Sequence, residues 1–242
     1  MNPETNVTCT ACENRNCFIK KCSSDWINRL SSVKAPVTFR RGEYIFREGD
    51  QVAGVYFILK GNVKVISTGL NGKEQIVRLA TDGHILGHRG YGGEYYPIGA
   101  VSLEASRICF FDNEILYEAF QANFDFLYGI MMFYSGELRK SELRTKFFGQ
   151  MTVDEKVAYA LFYIVRMFGL NSRDQTINLV MSRSEIASII GTNADQVSRS
   201  VNFLKSNKII DTLGKQIKLL DPDGLEKLFS HYSYFAREPD IN

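Results

Sequence analysis

The stretch MSRSEIASIIGTNADQVSRSVNFLKSNKIIDTLGKQIKLLD, from Met181 to Asp221, says more about the fold than any other part of the chain. Ser182 to Ile190 read as a short helix, GTN (Gly191 to Asn193) as a tight turn, and Asp195 to Leu204 as a second helix. Ala187 and Gly191 lie four residues apart. Small residues there let two helices cross closely, and glycine suits the turn between them. At about 100° per residue, Val197, Val201 and Leu204 share one side of the second helix. Asp195, Ser198, Arg199 and Asn202, spaced i, i+3, i+4 and i+7, share the opposite side. A hairpin follows: IIDT, a turn at LGK, then QIKLL, in which Ile217 and Leu219 alternate with Gln216 and Lys218. Two helices at a tight turn plus such a hairpin make a winged helix-turn-helix.

The outward side of the second helix offers a carboxylate, a hydroxyl, a guanidinium and an amide, the groups that read base edges in a major groove. Arg183, Gln196 and Lys205 complete the candidate DNA-contacting set. From Ser182 to Leu220 six basic residues (Arg183, Arg199, Lys205, Lys208, Lys215, Lys218) face three acidic ones (Glu185, Asp195, Asp211). That local surplus suits phosphate contact, although the net charge of the whole chain is only +2. A solvated amphipathic helix pair would explain the charges but not the small-residue turn with its wing.

Working outward, GQMTVDEK (Gly149 to Lys156) reads as a break followed by a helix start, with Thr152 and Glu155 spaced as a capping box. Val157, Ala160, Leu161, Ile164 and Phe168 mark one apolar face of that helix. GLNSRDQ (Gly169 to Gln175) reads as a polar loop. Upstream, Leu127, Met131, Tyr134 and Leu138 step by four, three and four along a helix from about Phe124 to Thr145. That spacing is a coiled-coil seam, read as a homodimer interface in preference to a core stripe, because charged residues surround its second half.

Twelve of the nineteen glycines fall between Gly42 and Gly99, and none comes earlier. They punctuate short apolar segments such as GVYFILKG and NVKVIS, and LNGK (Leu70 to Lys73) carries an Asn-Gly hairpin turn. This pattern predicts a β-barrel or sandwich of ~8 strands.

Four of the five cysteines crowd into CTACENRNCFIKKC, from Cys9 to Cys22. No apolar run approaches the ~18 residues that span a bilayer, and the first residues lack an apolar signal core, so the cytoplasm is the expected compartment and no membrane partner is expected. Reduced, clustered thiols there point to zinc or an iron–sulfur cluster before disulfides, with incidental surface cysteines as the plain alternative. No nucleophile–base pairing or phosphate-cradling loop is present, so an enzyme is not expected.

The order is thus cysteine cluster, glycine-rich β-roll, long helix, winged helix. Together with FREGDQVAGVYFILKGNVKVIS (Phe46 to Ser67), TDGHILGH (Thr81 to His88) and SRSEIASIIGTNADQVSRSV (Ser182 to Val201), it resembles the Crp/Fnr family of bacterial transcription regulators over nearly the whole chain. The resemblance implies an α+β fold: an N-terminal cyclic-nucleotide-binding-type β-roll (jelly roll), a long dimerisation helix and a C-terminal winged helix-turn-helix. The expected domains are a cysteine-rich segment (1–24), a sensor β-roll (25–122), a dimerisation helix (123–148) and a DNA-binding domain (149–242). The implied partners are palindromic double-stranded DNA, a second copy of the chain and RNA polymerase.

Crp-like members bind cyclic AMP through a glutamate, an arginine and a serine. In GHRGYGGEYYPIGA (Gly87 to Ala100) those positions hold His88, Ile98 and Gly99, which argues against cyclic AMP. Fnr-like members hold a [4Fe–4S] cluster on three N-terminal cysteines and one in the roll. Cys9, Cys12 and Cys17 resemble the first three at a spacing one residue shorter, and Cys109 in EASRIC resembles the fourth. Cys22 is an alternative to Cys17, and zinc on Cys9, Cys12, Cys17 and Cys22, or a thiol switch, is an alternative to the cluster. His84 and His88 invite comparison with relatives that ligate haem, but are expected to be surface or hydrogen-bonded histidines. DQVSR (Asp195 to Arg199) resembles the Fnr-type E-x-x-S-R reading motif, with aspartate in place of glutamate. A ligand-binding module that controls a partner protein is the rival from a different class.

Overall fold

The computed structural model describes residues 7–232. Its strands are β1 (Ala35–Phe39), β2 (Tyr44–Phe46), β3 (Gly54–Lys60), β4 (Val63–Thr68), β5 (Glu74–Ala80), β6 (Ile85–Leu86), β7 (Gly99–Ser102) and β8 (Ser106–Asp112), followed by β9 (Ile210–Leu213) and β10 (Gln216–Leu219). Its α-helices are α1 (Ser24–Val33), α2 (Asn113–Ala122), α3 (Phe124–Phe148), α4 (Val153–Phe168), α5 (Arg183–Ile190), α6 (Ala194–Ser206) and α7 (Pro222–Leu228). The chain forms two compact units, residues 7–73 with 77–136, and residues 74–76 with 137–232.

The first eight strands make two four-stranded sheets, in the orders β1-β8-β3-β6 and β2-β7-β4-β5. Alternation explains the inner faces: in β4, Val63 and Val65 are buried while Lys64 is only half-buried. One apolar core joins residues of both sheets, including Phe46, Ile58, Val63, Ile98 and Ala100. A second lies where α1, α2, α3 and a 3₁₀ turn (Phe18–Lys21) cover β3 and β8, with Phe18, Leu30, Phe57, Phe111 and Phe126 fully buried. Burying each such side chain contributes ~1.5–3 kcal/mol. Gly54 is obligatory, because a Cβ there would sit 2.1 Å from the Phe111 carbonyl oxygen. Asn71-Gly72 does turn a hairpin, but inside a five-residue connection (69–73) rather than a two-residue one. Gly69 N–H donates to the Lys73 carbonyl there at 2.9 Å.

Helix α3 runs three residues past the expected end. It carries two apolar stripes. Phe126, Gly129, Ile130, Phe133 and Gly136 are buried, whereas Leu127, Met131, Tyr134 and Leu138 are exposed, Leu138 at 63%. The second stripe is therefore not core within this chain. Helix α2, capped by Asp112 accepting from Ile115 N–H at 2.9 Å, was not foreseen from the apolar period.

In the second unit Thr152 and Glu155 form the expected capping box of α4. Val157, Ala160, Leu161 and Ile164 are buried, while Phe168 is only half-buried and Met167 takes the inward place. The polar loop 169–175 is better ordered than its composition suggests: Leu170 bridges Ile177, and Thr176 bridges Lys218 on β10.

Candidate DNA-reading face and thiol pocket

Local chemistry fixes the helix pair. Ser182 and Glu185 form a second capping box at the start of α5. Gly191 ends α5 in the left-handed region at φ 69°, which glycine adopts without a Cβ penalty. Asn193 then caps α6, its side chain accepting from Gln196 N–H at 2.9 Å. Val197, Val201 and Leu204 are buried and anchor α6. Asp195, Arg199, Asn202 and Lys205 are exposed, and Arg183, Gln196 and Ser198 are half-buried.

Several of these groups already have partners. The Ser198 hydroxyl donates to the Ala194 carbonyl at 2.8 Å, leaving its lone pairs outward. Gln196 Oε1 pairs with the Thr192 hydroxyl. Lys205 Nζ lies 3.0 Å from Asp211 and 3.1 Å from Thr212 Oγ1, tying α6 to β9. Ser200, a polar residue on the anchoring side, is buried and donates to Asp154 in the first turn of α4. Sequence reasoning missed that pair, although an acidic residue two places past a cap was visible. The expected wing is β9 paired antiparallel with β10, Leu213 opposite Gln216.

A pocket in the first unit is lined by Cys9, Cys12, Cys17 and Cys109, beside Phe57, Phe111, Lys20 and Lys34. Cys109 sits mid-strand on β8, opposite Pro36 of β1 and Phe57 of β3, so its position is rigid. The other three lie on an irregular segment laid against the roll. Cys9 N–H donates to Ser31 Oγ at 2.9 Å, Asn14 Nδ2 donates to the Ile58 carbonyl at 3.1 Å, and Lys20 Nζ donates to the Cys9 carbonyl at 2.5 Å. Cys22 is buried but does not line the pocket; its N–H closes the 3₁₀ turn on the Ile19 carbonyl.

Burial raises Cys17 to about 12, with Cys9, Cys109 and Cys12 adding to the rise, Cys109 to about 11, and Cys9 above its usual value. Cys22 is raised to about 12 by burial and then by Cys9 alone. Buried, protonated thiols are poor nucleophiles, which disfavours a simple thiol switch. Among the described residues no three cysteine, histidine or carboxylate side chains converge closely enough to hold one metal ion. A zinc site on the four N-terminal thiols needs every sulfur ~2.3 Å from a single point, and Cys22 does not line the pocket that Cys9, Cys12 and Cys17 share. Four thiols spread around a pocket do fit the donor set of an iron–sulfur cluster.

His84 is buried and hydrogen-bonded, its Nδ1 lying 3.3 Å from Arg78 Nη2. His88 departs from expectation. It is buried, yet neither ring nitrogen has a hydrogen-bond partner. Ile98, at the position of the cyclic AMP arginine, packs in the apolar core between the sheets.

Comparison with known proteins agrees with this architecture. Residues 36–123 match the family model of the cyclic nucleotide-binding domain, and residues 155–228 match that of the Crp-like helix-turn-helix domain. The chain is 30% identical over 193 residues to the transcriptional activator protein Anr of Pseudomonas protegens, covering 78% of each chain. It is 24% identical over 210 residues to the fumarate and nitrate reduction regulatory protein of Escherichia coli, covering 86% of this chain and 82% of that one. The structure of FixK2 from Bradyrhizobium japonicum shares the fold, with a TM-score of 0.72 at 24% identity, covering 81% of this chain and 97% of that one. No helix among the described residues is long and apolar enough to cross a membrane. With its roll, its wing and its capped helix pair in the expected order, and with these relatives, the chain belongs to the Crp/Fnr family, whose members are transcription regulators and not enzymes.

Proposed function

We propose that the chain is a homodimeric regulator that reads a palindromic operator through Asp195, Ser198, Arg199 and Asn202, and holds an iron–sulfur cluster on Cys9, Cys12, Cys17 and Cys109. One observation carries the sensing part: those four thiols line one pocket while Cys22 stays outside it. When bound, the cluster supplies an oxidant-sensitive group, so oxygen, nitric oxide or iron status is the signal. The chain's own residues do the rest. Cys109 gives a fixed ligand from a central strand. Cys9, Cys12 and Cys17 give three from a segment held by Ser31, Asn14 and Lys20. Lys20 and Lys34 place positive charge beside four thiolates. Cyclic AMP is not the effector in this reading, since Ile98 offers its phosphate no charge.

The exposed stripe Leu127, Met131, Tyr134 and Leu138 supports pairing of two copies along α3. Twofold symmetry then calls for a palindrome with half-sites one DNA turn apart. Arg183, Gln196 and Lys205 serve as flanking contacts, RNA polymerase is the partner at a promoter, and the cytoplasm, where the chromosome lies, is the compartment.

Purification without air, with iron, sulfide and zinc assays, tests the sensing part. The expected product is coloured and contains iron and sulfide. Cys109→Ser and Cys17→Ser lose the colour, whereas Cys22→Ser keeps it. A colourless, zinc-loaded protein overturns the assignment, as does colour that depends on Cys22 and not on Cys109.

A further inference from the structure

Helix α6 packs against α4. Its anchoring side is apolar, with Val197, Val201 and Leu204 buried. Hydrophobic contact is non-directional. It holds a helix down, but it sets the roll of that helix about its own axis less sharply than a hydrogen bond does. Roll matters on a reading helix. Side-chain tips lie ~5–6 Å from the axis, so a roll of about 10–20° carries them ~1–2 Å. A binding site works within ~0.5 Å of its productive geometry.

Ser200 supplies direction at this contact. It is 2% exposed on the anchoring side, where an apolar residue could be buried without needing a partner. Its hydroxyl donates to Asp154 Oδ1 in the first turn of α4. That turn is itself fixed. Glu155 folds back to accept from the Thr152 N–H at 2.7 Å, and its carboxylate lies 2.9 Å from the Thr152 hydroxyl, closing the capping box. Asp154, one residue earlier, is left to reach across to α6. A hydrogen bond to a carboxylate is about twice as strong as a neutral one. On the α6 side, Arg199 immediately precedes Ser200, and Ser198 and Asn202 flank it two residues away. The bond and the reading groups therefore share one helical turn. Further along, Lys205 also ties α6 to Asp211 and Thr212 of β9, but that pair is about half exposed and is weakened by solvent.

We propose that Ser200 and Asp154 are a positioning pair for sequence reading: their bond sets the roll of α6 on α4, and with it the discrimination between an operator and other DNA. Ser200 is buried, so it acts through Arg199 and its neighbours and not on the bases. The inference rests on the DNA-reading role proposed for α6.

The test uses full-length protein purified without air. A site is selected from random-sequence DNA with the wild type, and its affinity is compared with that for random DNA of equal length. Ser200→Ala is expected to weaken the selected site roughly ten-fold, the low end for a hydrogen bond to a charged group. Random DNA should stay within about two-fold, because phosphate contacts carry that binding. Asp154→Ala gives the same loss, and the double variant adds little to either alone. Asp154→Asn keeps an oxygen that accepts the hydroxyl and retains most of the discrimination. A residue serving stability alone would lower both affinities together. The Asp154 variants keep the test intact should Ser200→Ala fold poorly. Discrimination kept by Ser200→Ala, equal loss on random DNA by well-folded variants, full additivity in the double variant, or Asp154→Asn failing like Asp154→Ala overturns the pairing. If the wild type selects no site at all, the DNA-reading role itself falls and this inference with it, so the two failures are told apart.

Discussion

Cys17 shows how one buried group sets a pH response. Its thiol is raised from 9.0 to about 12, first by burial. Between those values the unfolded chain has released the proton and the folded chain has not, so folding stability falls as pH rises. Metal-free protein is expected to lose urea midpoint steadily above pH 9, and Cys17→Ala to flatten that slope. Cluster loading moves the opposite way: four protons must leave, so rising pH favours it. His88 acts at the other end of the scale. Its folded pKa is depressed below 6.5, so in acid the unfolded chain takes up a proton that the folded one refuses. Stability then falls as pH drops below 6.5, and a thermal melt of His88→Phe should show less of that loss. Neither response could be read from the sequence, because a thiol's or an imidazole's surroundings come from distant segments. Ser200 makes the same point. Its place among apolar neighbours was legible; its partner Asp154, forty-six positions away, was not.

At the scale of elements, α6 was the most legible part. Period, caps and turn residues all lie within a few positions of one another, and the structure returns the expected helix pair and wing with ends moved by one or two residues. Arg199→Ala is expected to weaken operator binding by ~1–3 kcal/mol and relax one base position, measured by gel shift against single-base variants of the selected site. Lys205→Ala should weaken all sequences alike and lower the salt slope by about one. Helix α3 was half legible. Its outward stripe repeats cleanly, but the buried stripe overlaps it, and only the fold separates them. Met131→Glu or Leu138→Glu places a charge in the proposed seam. Sedimentation should show monomers at micromolar concentration, with the circular dichroism of the fold retained. Helix α2 escaped notice because its ten residues offer too few apolar repeats, and the Asp112 cap was its best signal.

Across the whole molecule, the order of parts was visible in the sequence, and the choice between Cys17 and Cys22 was not. The spacing allows either; packing of the 3₁₀ turn against the roll turns one toward the pocket and the other away. Between Cys9 and the buried 3₁₀ turn at Phe18, the stretch that carries Cys12 is held mainly by a few hydrogen bonds, and stretches of that kind open at low free-energy cost. Trypsin is therefore expected to cut metal-free protein first at Arg15, and loaded protein more slowly, as read by mass spectrometry of the early fragments. One further feature joins the two halves of the sensor unit. Phe57 lines the thiol pocket and also an apolar cavity whose far wall is α3, with Leu127 and Met131 of the proposed seam. It is a party wall: what fills one side of that ring leans on the other. By thermodynamic reciprocity, whatever factor the metal group lends to pairing along α3, pairing returns to the metal group.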